Sequence, residues 1–188
     1  MNIFYDGVIF NLHEYGGINR YFMELVDKIS NFEDANLLLF RFPSLFDKKK
    51  NIISKKSIEF PIRIPRIKGI PRLKKYLTEI DKIILPRMVR NFNSDIYHTT
   101  YYRIPQNIKA SKVITVYDMI HEKFLRHEKR FLQQKAMCIK LADKVIAISE
   151  STKRDILEYI DIPEEKITIT YLAANSLNTN HYFKSTIC

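Results

Sequence analysis

Cysteine is scarce in this chain of 188 residues: there are two, Cys138 and Cys188. Neither has metal-ligand spacing, and two are too few for a disulfide framework, so a stapled secreted domain is excluded and a reducing compartment fits. No apolar run approaches the ~20 residues that a membrane-spanning helix needs. The opening Met1-Asn2-Ile3-Phe4-Tyr5-Asp6 has no basic leader and meets an Asp too early for a secretory signal. Internal repeats and low-complexity tracts are also missing, which sets aside solenoids and disordered arrays. The one Gly-Gly pair, Gly16-Gly17, lacks a P-loop lysine and is not a GxGxxG fingerprint. These absences lead us to expect a cytoplasmic protein that does not span a membrane.

What is present suits one domain of ordinary size, with 46% hydrophobic residues to fill a core. The net charge of +10 is unevenly placed. Residues 41–92 hold 15 Lys or Arg against 4 Asp or Glu, including Lys48-Lys49-Lys50, Lys55 and Lys56, interleaved with Ile, Leu, Phe and Pro. Such a patch suits an anionic membrane surface, a diphosphate-bearing substrate or nucleic acid, and it equally suits a solvated loop and helix face. No recognition motif accompanies the charge, which disfavours nucleic acid.

Hydrophobic periodicity predicts alternating strands and helices. Strands are expected at Asn2–Tyr5, Asn36–Arg41, Asp95–His98, Lys112–Tyr117, Lys144–Ile148 and Lys166–Thr170. Between them, Ile18, Tyr21, Phe22, Leu25, Val26 and Ile29 recur at helical spacing. Further helices are expected over 72–92, broken or kinked near Pro86, over 128–141, and from a Ser149 cap to Tyr159. Strands that read as apolar runs, separated by helices, predict an α/β fold: a Rossmann-like, doubly wound parallel sheet with helices on both faces.

In such a fold, ligands bind outside the carboxyl ends of the strands. Val113-Ile114-Thr115-Val116-Tyr117 runs straight into Asp118, with His121 three residues on. Asp118 is therefore a candidate site residue, although capping the next helix would also explain it. His98 ends its strand and precedes Thr99-Thr100-Tyr101-Tyr102, hydroxyls and aromatic faces of the kind that hold a sugar ring. A histidine there can also be purely structural. Gly16-Gly17 opens a helix whose first amides lack carbonyl partners, which makes either an anion site or simply a tight turn. Asp118, His121 and His127 match no metal-ligand spacing, and no metal is expected.

Four segments together resemble a family. They are Tyr15-Gly16-Gly17-Ile18-Asn19-Arg20-Tyr21-Phe22, Asp95-Ile96-Tyr97-His98-Thr99-Thr100-Tyr101-Tyr102, Val113 to His121, and Ala142 to Ser151. In order and identity they are similar to the amino-terminal lobe of subfamily-4 retaining glycosyltransferases, over nearly all of residues 1–174. The resemblance implies a GT-B architecture of two Rossmann-like lobes, with the acceptor mainly on the first and the nucleotide-sugar donor mainly on the second. It implies no cofactor and a glycan or polyprenyl-diphosphate-linked acceptor, and related bacterial proteins build O-antigen, capsule or other envelope polysaccharides. It places Gly16 and Gly17 beside the donor diphosphate and the acceptor, and Asp118 near the anomeric carbon in an electrostatic role. His98, Tyr101, His121 and Ser149 fall on the acceptor side.

The family's second lobe supplies a basic pair and two glutamates with seven residues between them, and that lobe is expected to be absent here. Glu150 and Glu158 have the same separation but fall in a segment that matches the first lobe. Residues 175–188 no longer resemble the family and read as a truncated or frame-shifted tail. The expected function is therefore the acceptor-side lobe of a glycosyltransferase, inactive alone and held at the inner face of a membrane. The rival expectations are a non-catalytic acceptor- or membrane-binding module and a Rossmann-fold nucleotide enzyme unrelated to sugars.

Overall fold

A computed structural model describes residues 1–12, 16–32, 34–41, 57–59, 83–125 and 127–173. Tyr15, most of the basic segment, the start of the helix expected from Arg72, and the tail from 175 lie outside the described residues. Seven parallel strands form one sheet: β1 (Asn2–Tyr5), β2 (Asn36–Arg41), β3 (Ser57–Glu59), β4 (Ile96–Thr99), β5 (Ser111–Val116), β6 (Lys144–Ala147) and β7 (Ile167–Ile169). The helices are α1 (Val8–Leu12), α2 (Gly17–Ser30), a helix α3 described over 83–91, α4 (Ile120–Phe124), α5 (Lys129–Leu141) and α6 (Glu150–Tyr159). None of them is long and apolar enough to cross a membrane.

The strand order is β3-β2-β1-β4-β5-β6-β7, so the chain builds outward from β1 in one direction and then from β4 in the other. Alternation of side chains along the strands divides the core in two. Ile3, Tyr5 and Leu37 face one way and bury Ile9 of α1 and Phe22 of α2. Phe4, Leu38, Tyr97, Ile114, Val116, Val145 and Ala147 face the other and pack Leu85 and Val89 of α3, Cys138 and Ile139 of α5, and Ile156 of α6. Helices therefore cover both faces, and the fold is the doubly wound α/β arrangement that the periodicity predicts.

Strand boundaries move by about one residue from the sequence reading, as hydrogen-bonded ladders commonly do. Three elements were not anticipated: α1 and α4, each too short to show a period, and β3 inside the basic segment. The described part of this helix, 83–91, runs unbroken through Pro86, while the residues before 83, where a proline break or kink falls, lie outside the described residues. Leu85 and Val89, both buried on one side of this turn, anchor it to the sheet across the missing donor. Burying side chains of this size contributes about 2 kcal/mol each, enough to offset much of what proline removes.

Candidate functional site

Parallel pairing puts every carboxyl strand end on the same edge. Tyr5 lies beside His98, Thr99 beside Ile114, and Val116 beside Ala147. The next residues along the chain are Asp6, Thr100, Tyr117 and Ile148, so Asp6, Thr99 to Tyr102, Asp118 and Ser149 all emerge here, with the start of α2 following β1 and α1. The direction of winding reverses between β1 and β4, and such a switch point opens a crevice at the carboxyl edge.

The most heavily bonded group at this edge was not among the sequence candidates. Asp6 is 1% exposed. Its Oδ1 accepts from the Thr100 N–H at 2.8 Å, the Thr100 hydroxyl at 2.6 Å and the Val8 N–H at 3.2 Å. Its Oδ2 accepts from the Thr99 hydroxyl at 2.8 Å and the Tyr97 hydroxyl at 2.9 Å. The Thr100 hydroxyl in turn accepts from the Ile9 N–H at 3.1 Å. One carboxylate thus ties the turn after β1 to the loop after β4, satisfying donors that would otherwise be stranded in the core. The signal was there to read: an Asp directly after an apolar strand, the same pattern that singled out Asp118.

His98 points inward. It is 5% exposed, with its ring 5.3 Å from those of both Tyr5 and Phe22. Nε2 pairs with the Thr115 hydroxyl at 3.0 Å, and Thr115 also hydrogen-bonds the Tyr21 hydroxyl. Burial disfavours the charged ring and pulls its pKa down to about 3, so it is neutral at pH 7. The imidazole belongs to the packing beneath the edge, and its influence on anything above passes through Thr115 and Tyr21.

The cap position of α4 is Met119, which makes no side-chain cap bond, and Asp118 stands one residue before it, its Oδ1 accepting from the Ile120 N–H at 3.1 Å in the turn that leads into the helix. Asp118 is only partly buried, and its charge is felt by two neighbours. The hydroxyls of Tyr101 and Tyr102 are raised in pKa first by burial and then by Asp118. Tyr101 rests against Tyr102 at 4.9 Å and Phe131 at 6.3 Å. His121, on α4, lies 4.7 Å from the Phe131 ring, with its Nε2 3.7 Å from Glu128 Oε2. Asp118, Tyr101 and His121 are therefore brought together, with Phe131 as a shared surface that the sequence reading did not include.

The two helix starts at this edge differ. Ser149 caps α6, its Oγ accepting from the Thr152 N–H at 3.1 Å. The start of α2 has no side-chain cap. Gly16 is exposed and its backbone extended; a Cβ there would meet Asn19 Oδ1 at 3.3 Å. At Gly17 a Cβ would meet nothing within 4 Å, so the packing of this domain does not itself call for glycine. Glu150 and Glu158 both lie on α6. Among the described residues, no group of three or more His, Cys, Asp or Glu could hold a metal ion.

With this geometry in view, comparisons with known proteins can be placed on it. The family model described as Glycosyltransferase Family 4 matches residues 15–175. Among solved structures, the chain is similar to a glycosyltransferase from Rickettsia africae ESF-5, with a TM-score of 0.54 and 18% sequence identity. That likeness covers 93% of this chain and 43% of the other, so the chain spans less than half the length of its structural neighbour. At this identity the likeness speaks for the fold. No curated protein matches the chain in sequence.

Proposed function

The chain belongs to glycosyltransferase family 4, and from that premise we propose that residues 1–174 act as the acceptor-side lobe of a retaining enzyme. The reaction moves a sugar from a nucleotide sugar to a glycan or a polyprenyl-diphosphate-linked acceptor, of the kind used for bacterial surface polysaccharides such as O-antigen. The observation that carries this reading is the family match over 15–175, on a sheet whose strand ends deliver polar groups to one edge at the switch point. A fold alone would not specify a function.

Within this reading, the start of α2, which has no side-chain cap, faces the donor diphosphate, and the open space beside Gly17 lets the backbone come close to it. Asp118 keeps its bond to the Ile120 N–H through Oδ1 and uses its negative charge to steady the oxocarbenium-like sugar or orient the incoming hydroxyl. Tyr101 and His121, gathered on Phe131, form the acceptor wall. His98 acts from beneath, and Ser149 sets the start of α6 at the same edge. Most donor contacts come from a second lobe. The basic segment 41–92 holds the protein at an anionic membrane surface, where a lipid-linked acceptor resides.

Release of nucleoside diphosphate from a panel of sugar nucleotides, with polyprenyl-linked acceptors, tests the assignment. The 188 residues alone are expected to give none, and the same residues joined to a family second lobe are expected to give turnover that falls at least about tenfold in Asp118→Ala. Robust turnover by the chain alone would overturn the one-lobe reading. Absence of turnover from the joined form, with acceptor or vesicle binding intact, would mark it as a binding module.

A further inference from the structure

Lys135 occupies a core-facing position of α5, in helical register with buried Cys138 and Ile139, and its side chain is 1% exposed. Lysine is rarely found so deep unless paired. Its Nζ donates to the backbone carbonyl of Asp118 at 2.7 Å and to Glu122 Oε2 at 3.0 Å, the Glu122 side chain being 9% exposed. The same Nζ lies 5.2 Å from the centre of the Tyr102 ring. The preceding residue, Gln134, donates through Nε2 to the Tyr102 carbonyl at 3.0 Å. Tyr102 has φ of 30°, a left-handed backbone that a residue with a Cβ seldom adopts and that its surroundings must hold in place.

Two consecutive residues of α5 thus grip both segments of the candidate edge, the loop after β4 at Tyr102 and the turn after β5 at Asp118 together with Glu122 of α4. A buried ion pair is a poor way to gain stability, because an apolar pair of similar volume commonly does as well or better. Its particular property is direction, since an ammonium has three donors and each must find an acceptor. We infer that Lys135 is a positioning residue of this edge, fixing the Asp118 turn against the Tyr102 loop from inside the fold. It touches no substrate in this scheme; it acts through Asp118 and Tyr102, and it rests on the reading of that edge as the acceptor side.

Amide hydrogen exchange and carbonyl ¹³C shifts of the 188-residue chain test this without any sugar, so a failed transferase assay and a failed Lys135 assignment remain distinct. The double variant Lys135→Met with Glu122→Gln leaves no unpaired charge behind. In it, the Ile120 amide, which bonds Asp118 Oδ1, is expected to exchange at least about tenfold faster and the Asp118 carbonyl shift to move, while the Phe4 amide of β1 keeps its protection. Lys135→Arg, which restores a cationic donor, is expected to return both signals toward the parent. Should the double variant fail to fold, Lys135→Gln is read in the same way. Unchanged Ile120 exchange and Asp118 shift, changes matched at Phe4, or changes that arginine does not reverse would each overturn the assignment.

Discussion

Protonating His98 means placing a charge between Tyr5 and Phe22, and the fold resists it. The ring has its pKa drawn down to about 3 by burial, against about 6.5 in an unfolded chain. Between those values the unfolded state takes up a proton that the native state does not, so this residue's contribution to stability is complete above about pH 6.5 and declines as pH falls toward 3. By pH 4 the loss is about 3 kcal/mol from this one group. His98→Gln is expected to flatten the difference in urea midpoint between about pH 7 and pH 4.5, measured against the parent chain. A parallel pH dependence in the two proteins would show that the imidazole titrates normally. Asp6 illustrates the opposite strategy at the same scale, a buried carboxylate surrounded by five donors instead of apolar rings.

At the scale of elements, α2 and α6 begin at the same edge under different constraints. Ser149 gives α6 its cap, so Ser149→Ala is expected to lower stability by about 1 kcal/mol in chemical denaturation. If its hydroxyl served only a ligand, stability would not change. Gly17 begins α2 with free space around the position where a Cβ would stand. Gly17→Ala is therefore expected to raise stability by about 0.5 kcal/mol, through the reduced freedom of the unfolded chain, while lowering transfer in the two-lobe form at least about tenfold. Gain of stability with full activity would remove the diphosphate from Gly17. Loss of stability would reveal a packing constraint on this turn.

The whole molecule carries its positive charge in one segment, residues 41–92, whereas the rest of the chain is close to neutral. Each Lys or Arg near an anionic bilayer contributes about 1 kcal/mol, so a few are enough for reversible attachment. Co-sedimentation with anionic vesicles is expected to exceed that with neutral vesicles and to fall when Lys48, Lys49, Lys50, Lys55 and Lys56 are changed to Gln. Equal binding to both vesicle types would return the segment to an ordinary solvated surface. No helix among the described residues is long and apolar enough to cross a membrane.

The sequence by itself determined the alternation of strand and helix, because apolar periods of two and 3.6 residues are local properties that neighbouring side chains impose. It also determined that polar residues follow successive strands, which singled out Asp118 and Ser149, whereas Gly16 was singled out as part of a turn that opens a helix. Tertiary structure decided what those residues do. Only the packed sheet turns His98 inward against Thr115, because the side of a strand that is buried depends on the helix laid across it. Only the pairing of β4 beside β1 brings Asp6 to Thr99 and Thr100, more than 90 positions away along the chain. The grip of Lys135 on Asp118 was equally invisible: a lysine in a helix reads as solvated until the Asp118 carbonyl, the Glu122 carboxylate and the Tyr102 ring, all from other segments, close around it. Periodicity is written in adjacent residues, whereas the pairing of buried polar groups is settled by which distant segments the fold brings into contact.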